Sequence, residues 1–155
     1  MADLFERVLL LKHTPAFSAV ATEDLRVIAS ELFEEAYFAG DLIFEINEPA
    51  DRFYLIEEGR VGIRVNTTGS PKDYINMLGP GACFGEMALF DDQPRSASAE
   101  VVEDARLLVL EKEKLLGILQ NYPALALGII RTLSERLRKN TERLAQCVGE
   151  TTEPP

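Results

Sequence analysis

The chain contains one histidine, His13, two cysteines and no tryptophan. A single imidazole cannot build the site of two or three histidines and a carboxylate that many β-barrel folds use to hold a metal. It also leaves Cys83 without a histidine base, so that thiol is expected as a small buried filler rather than a nucleophile. Cys83 and Cys147 lie far apart and suggest neither a disulfide framework nor a metal cluster, so a reducing cytoplasm is the expected home. No apolar run approaches the roughly 20 residues that span a bilayer, and Asp3 and Glu6 do not fit a signal peptide. Positive charge is scarce too. Sixteen Lys and Arg stand against 26 Asp and Glu, a net charge of −10, whereas a phosphate backbone demands a basic footprint. Nucleic acid is therefore not an expected partner.

What is present fits one folded domain. The 155 residues are 46% hydrophobic and 27% charged, enough for a single core and hardly for two. Residues 124–147 carry Arg131, Arg136, Arg138, Lys139 and Arg143 against Glu135 and Glu142, so this segment is +3 and the rest −13. A small anion could bind so acidic a body only beside a dedicated cation.

Residues 1–31 read as N-terminal helices. Leu4, Phe5, Val8, Leu9 and Leu11 give a short helix ending before Pro15. A second helix starts near Thr22, a good N-cap, with Glu23 and Asp24 in its first turn. From residue 32 to 111 the texture becomes short apolar runs broken by Gly40-Asp41, Asn47-Glu48-Pro49, Gly59, residues 67–71, and Gly79-Pro80-Gly81. Strands such as Arg52–Glu57, Arg60–Asn66 and Ala105–Leu110 fit between them, which points to a closed or sandwiched antiparallel β-fold. Residues 112–147 return to helix, with Pro123 suited to a first turn. Residues 148–155 are expected as a flexible polar tail. The expected class is α+β, mainly β.

Residues 84–99, FGEMALFDDQPRSASA, carry the chemistry. Gly85 lets a ligand approach the backbone. The residues after it can open a short helix whose first amides have no internal partner. Glu86 is an acceptor suited to a sugar hydroxyl, and Arg95 is a planar cationic fork suited to phosphate. Pro94 fixes the backbone before it. Together these groups suit a small anionic sugar-phosphate.

The order and spacing resemble the phosphate-binding cassette of cyclic-nucleotide-binding domains, the family of the catabolite activator protein and protein kinase regulatory subunits. Its pattern, Phe-Gly-Glu-aliphatic-Ala-Leu, four variable residues, then Pro-Arg-small-Ala, is matched by Phe84, Gly85, Glu86, Met87, Ala88 and Leu89, then Pro94, Arg95, Ser96 and Ala97. Phe38 to Phe44, Pro49 to Ile56 and Gly59 to Val61 are similar to the first half of the family's β-roll. Asn47 stands where relatives often carry glycine, and asparagine also tolerates a left-handed turn. The resemblance extends over residues 8–147. It implies an antiparallel β-roll of jelly-roll type, flanked by N-terminal helices and a long C-terminal helix, and a cyclic 3′,5′-nucleotide as ligand, cyclic AMP or cyclic GMP, with no further cofactor.

By the same resemblance Arg95 pairs with the phosphate, helped by the amides of Ala88 and Ser96, and Glu86 accepts the ribose 2′-hydroxyl beside the Gly85 amide. The Ser96 hydroxyl touches the phosphate, favours guanine, or is simply solvated. The plain alternative for Glu86 and Arg95 is an ion pair across the loop. In the last helix Ile130, Leu133, Leu137, Asn140, Leu144 and Cys147 step by three and four, a heptad seam that implies a homodimer; its rival is a helix packed on its own roll. Asn140 sets register in that seam or, with Thr141, contacts the base as hydroxyl residues do in the catabolite activator protein. His13 reads as a cap or surface residue. The leading expectation is a non-catalytic sensor that reports occupancy through its C-terminal helix. The alternative is a degenerate family member serving as a dimerisation or docking module. An enzyme is disfavoured by the missing histidines, and transcriptional regulation by the few residues after Cys147.

Overall fold

A computed structural model describes residues 3–65 and 74–151. The chain enters through α1 (Leu4–His13), where the Asp3 carboxylate accepts from the Glu6 amide at 2.8 Å and caps the helix. A short 3₁₀ helix, Pro15–Phe17, leads to α2 (Thr22–Ala29). The expected Thr22 cap is corrected here. Ala21 takes the extended cap position after buried Val20, and its carbonyl accepts from the amides of Asp24 and Leu25, so Thr22 is already helical.

Six strands follow: β1 (Phe33–Tyr37), β2 (Leu42–Phe44), β3 (Arg52–Arg64), β4 (Tyr74–Leu78), β5 (Cys83–Phe84) and β6 (Ser98–Glu111). All pairings are antiparallel, in the order β1-β6-β3-β4, with β2 on β6 and β5 on β3. The result is an antiparallel β-roll. Two strands expected as separate, 52–57 and 60–66, are one. Gly59 takes φ +91 and the register with β6 shifts on both sides of it, so the chain bulges without leaving the ladder. The expected strand at 105–110 likewise belongs to the longer β6. The predicted turn at 67–71 lies outside the described residues.

Alternation along β3 and β6 divides the apolar residues between two clusters. Phe53, Leu55, Leu108 and Leu110 face the helices, joining Leu11, Phe17, Leu25, Ile28 and Leu125. Tyr54, Ile56, Leu107 and Val109 face the roll interior with Phe44 and Phe84. Because both faces of the central strands are covered, Phe53-Tyr54-Leu55-Ile56 is an unbroken apolar run rather than an alternating one. The expected left-handed turn at Asn47 is present, at φ 73.

After β6 come α3 (Lys112–Asn121) and α4 (Pro123–Thr151). The helix continues to residue 151 rather than stopping at 147, so the expected tail shortens; residues 152–155 lie outside the described part. Leu125, Gly128, Ile129 and Thr132 form the buried face of α4. Gly128 permits the close approach, since a Cβ there would lie 3.1 Å from Val20 Cγ2. The Thr132 hydroxyl accepts from the Ala19 amide. Leu133 packs on the helix-side cluster, so it is not part of an outward seam. The outward stripe is Leu127, Ile130, Leu137, Leu144 and Val148, each more than half exposed, with Ser134 and Thr141 completing the heptad spacing.

Candidate functional site

The turn at residues 45–49 and the segment around Arg95 are tied together. The Asn47 amide donates to the Arg95 carbonyl and the Arg95 amide to the Glu48 carbonyl, both at 2.8 Å. The Ile46 amide donates to Ser98 Oγ at 2.8 Å. This lacing holds Arg95 against the roll, where its side chain passes inward and is only 6% exposed.

The guanidinium lies 4.0 Å from the Phe44 ring centroid and 6.0 Å from that of Tyr54, and Tyr54 stacks on Phe84 at 5.0 Å. Nη2 donates to the Arg52 carbonyl at 2.8 Å. Nε and Nη1 are buried with no hydrogen-bond partner, and among the described residues no carboxylate forms an ion pair with it. Burial pulls its pKa below the usual arginine value, opposed by Tyr54, Asp51 and Glu48. A buried cation with two idle donors is costly unless an anion completes it.

The space for such an anion adjoins it. A cavity of about 380 Å³ is lined by Phe44, Ile63, Leu78 and Phe84 on the roll side and by Gly85, Arg95, Ser96 and Ala97 on the cassette side. Its size and its mix of apolar walls with few polar groups suit a small organic ligand. Gly85 has φ +79, and a Cβ there would lie 2.6 Å from Arg95 Nη1. Glycine therefore leaves room for the guanidinium itself as well as for a ligand.

Glu86 opens a 3₁₀ helix, Glu86–Leu89, that also contains the backbones of Met87 and Ala88. Glu86 does not pair with Arg95, which corrects the alternative of an ion pair across the loop. Its Oε1 accepts from Arg136 Nη1 of α4 at 3.1 Å, and it is not among the cavity-lining residues. Cys83 lines the cavity with its thiol pKa pushed up to about 12 by burial and by Glu86, so it stays protonated. Asn140 and Thr141 are exposed on α4 and do not line the cavity; the Thr141 hydroxyl donates to the Leu137 carbonyl at 2.9 Å. The structure thus gathers Gly85, Arg95, Ser96 and Ala97 around one cavity, and leaves Glu86, Asn140 and Thr141 outside its lining.

Arg136 and Asn76 were missed in the sequence reading. Arg136 continues the inward stripe of Leu125, Ile129 and Thr132 at helical spacing, the signal by which it could have been found. Asn76, on β4, lines the cavity and brings an amide near any ligand there.

Comparison with known proteins agrees with this geometry. The family model described as "Cyclic nucleotide-binding domain" matches residues 34–122. The cyclic AMP receptor protein of Thermus thermophilus is 34% identical over 129 residues, 83% of this chain and 60% of the relative. A cAMP-dependent protein kinase type II regulatory subunit of Drosophila melanogaster is 36% identical over 112 residues, covering 70% of this chain and 29% of the subunit. The N-terminal domain of a transcriptional regulator from Streptomyces coelicolor superposes with a TM-score of 0.77 at 30% identity, covering 86% of this chain and 95% of that one. The chain spans only about 60% of the length of the Thermus receptor protein.

Proposed function

Because the chain belongs to the cyclic-nucleotide-binding domain family, we propose that it is a non-catalytic regulatory module whose cavity takes a cyclic 3′,5′-nucleotide, cyclic AMP in preference to cyclic GMP. The observation that carries this reading is Arg95, buried beside the cavity with Nε and Nη1 unpaired. The ligand phosphate accepts from those two donors, helped by the amides of Ala88 and Ser96. The ribose 2′-hydroxyl donates to Glu86, beside the Gly85 amide, and Ser96, Ala97 and the backbone at Met87 complete the contacts. The names of the Thermus receptor and the Drosophila subunit support the adenine choice.

Glu86 links occupancy to α4. Its carboxylate is already held by Arg136, so a sugar hydroxyl arriving there must share or displace that cation. Ligand binding then favours one placement of α4 over another, the condition for reporting occupancy. Glu86→Ala is expected to fold and to bind cyclic AMP at least roughly tenfold more weakly, about 1.4 kcal/mol. A thermal-shift series with cyclic AMP, cyclic GMP and AMP checks the whole reading, since stabilisation follows ligand concentration over Kd. A response to none of the three would favour the docking module. AMP matching cyclic AMP would remove the preference for a cyclised phosphate.

The outward stripe of α4 supports a homodimer through that helix. Five large apolar side chains exposed at heptad spacing would be covered by the same stripe of a second copy, and Thr141 and Asn140 would meet the partner there. Leu137→Glu is expected to give single chains in light scattering, whereas the unmodified protein gives twice that mass. A single-chain mass for the unmodified protein at micromolar concentration would refute the dimer. No helix among the described residues is long and apolar enough to cross a membrane.

A further inference from the structure

One polar group in the cavity is left without a task by the contacts assigned so far. Five of the polar residues that line it, Cys83, Asp91, Gln93, Arg95 and Ser96, lie within residues 83–97. The other is Asn76 of β4. It pairs with Ile63 near the end of β3, whereas the Arg95 guanidinium lies over Tyr54 near the start of that strand. Residues two apart on a strand share a face. Accordingly Asn76 and Leu78 both line the cavity, and Ile75 and Met77 do not.

The Asn76 amide has a fixed orientation. Its Oδ1 accepts from the Met77 backbone amide at 2.9 Å, which the side-chain nitrogen could not do. Oδ1 keeps a second lone pair, and Nδ2 donates to none of the described residues. Beside it Ile63 and Leu78 give the cavity apolar walls. Such walls suit the faces of a flat heterocycle, whose donors and acceptors lie on its edge.

A neighbouring donor and acceptor on one planar amide match the N7 acceptor and N6 donor of adenine. Guanine offers two acceptors, N7 and O6, on the same edge. Set against guanine, Oδ1 would meet O6 with no proton between them, leaving both acceptors unsatisfied. We propose that Asn76 selects the base, with Nδ2 donating to adenine N7 and Oδ1 accepting from the adenine N6 amine. This rests on the reading of the cavity as a cyclic-nucleotide site and names what separates adenine from guanine within it. No residue of α4 lines the cavity, so within one chain the edge of the base meets β4 and not that helix.

The test is titration calorimetry on the full chain with cyclic AMP, cyclic GMP and cyclic IMP. The last keeps N7 but carries an oxygen in place of the N6 amine. The native chain should prefer cyclic AMP to both others. Asn76→Leu keeps the size of the side chain without its donor and acceptor. It should weaken cyclic AMP roughly fivefold or more while changing the other two by less than about twofold, so the preference shrinks. Asn76→Gln, which retains an amide, should keep part of that preference. Asn76 is exposed on the last strand of the sheet order, so both variants should unfold near the native midpoint without ligand. An unchanged preference in Asn76→Leu would overturn the proposal. So would an equal loss for all three nucleotides, which would mark a packing role, or a larger loss for cyclic GMP. Failure of the cyclic-nucleotide reading looks different: the native chain itself would then give no heat with any of the three, and both would fall.

Discussion

Arg95→Met is expected to reduce cyclic AMP affinity by roughly 30- to 1,000-fold, about 2–4 kcal/mol, in titration calorimetry. The estimate follows from two charged donors, Nε and Nη1, that have no protein partner. Each charged hydrogen bond is worth about 1.5–3 kcal/mol, and a phosphate left unpaired in an apolar cavity adds its own desolvation cost. The ligand-free protein should respond in the opposite sense. Methionine keeps the contact with the Phe44 ring and removes an under-solvated buried charge, so the unfolding midpoint without ligand should hold or rise. Arg95→Lys should bind better than the methionine variant and worse than the native chain, because a point charge cannot present two parallel donors. Unchanged affinity in Arg95→Met would remove Arg95 from the site.

Gly59→Ala should lower folding stability by about 2–5 kcal/mol in urea denaturation, of a total typically near 5–15. The residue has φ +91 inside β3, where an L side chain costs about 1–2 kcal/mol. An added Cβ would also strike the Asp104 carbonyl and lie 2.6 Å from Ala105 Cα. Both obstacles are backbone of β6, the strand to which β3 is laddered, so nothing yields without breaking pairs; overpacking of this kind costs about 1–3 kcal/mol more. Gly40→Ala is the control. Its φ is +94 but its Cβ would meet nothing within 4 Å, so only the conformational penalty applies. Equal losses at the two positions would show that crowding against β6 is not the cause.

Legibility in the sequence followed the range of the interactions. Turns set by one or two residues were readable, as at Gly40 and Asn47, because a positive φ leaves a local compositional mark. The register of the roll was less so. Gly59 looks like a strand terminus, and only its pairing across to Asp104 and Ala105 reveals a bulge within one long strand. The cassette, including Gly85 and Arg95, was legible through its resemblance to the pattern of cyclic-nucleotide-binding domains. What spacing could not supply was the third dimension of Glu86. Its partner, Arg136, is fifty positions away in another element, and no local pattern joins them. Leu133 was assigned outward because a three-four repeat fits either face of a helix; packing against the roll decided the matter.

The length of α4 has a mechanical consequence. Its first three turns are clamped to the body by Leu125, Gly128, Ile129 and Thr132, and the Glu86–Arg136 contact comes at the end of that grip. Beyond Arg136 about fifteen residues project outward, some 22 Å at 1.5 Å per residue. A cantilever of that length turns a tilt of about 10° at the clamp into a displacement of roughly 4 Å at its tip. On the proposed function, a slight rearrangement at that one carboxylate would be enough to move the far end of the helix by this amount.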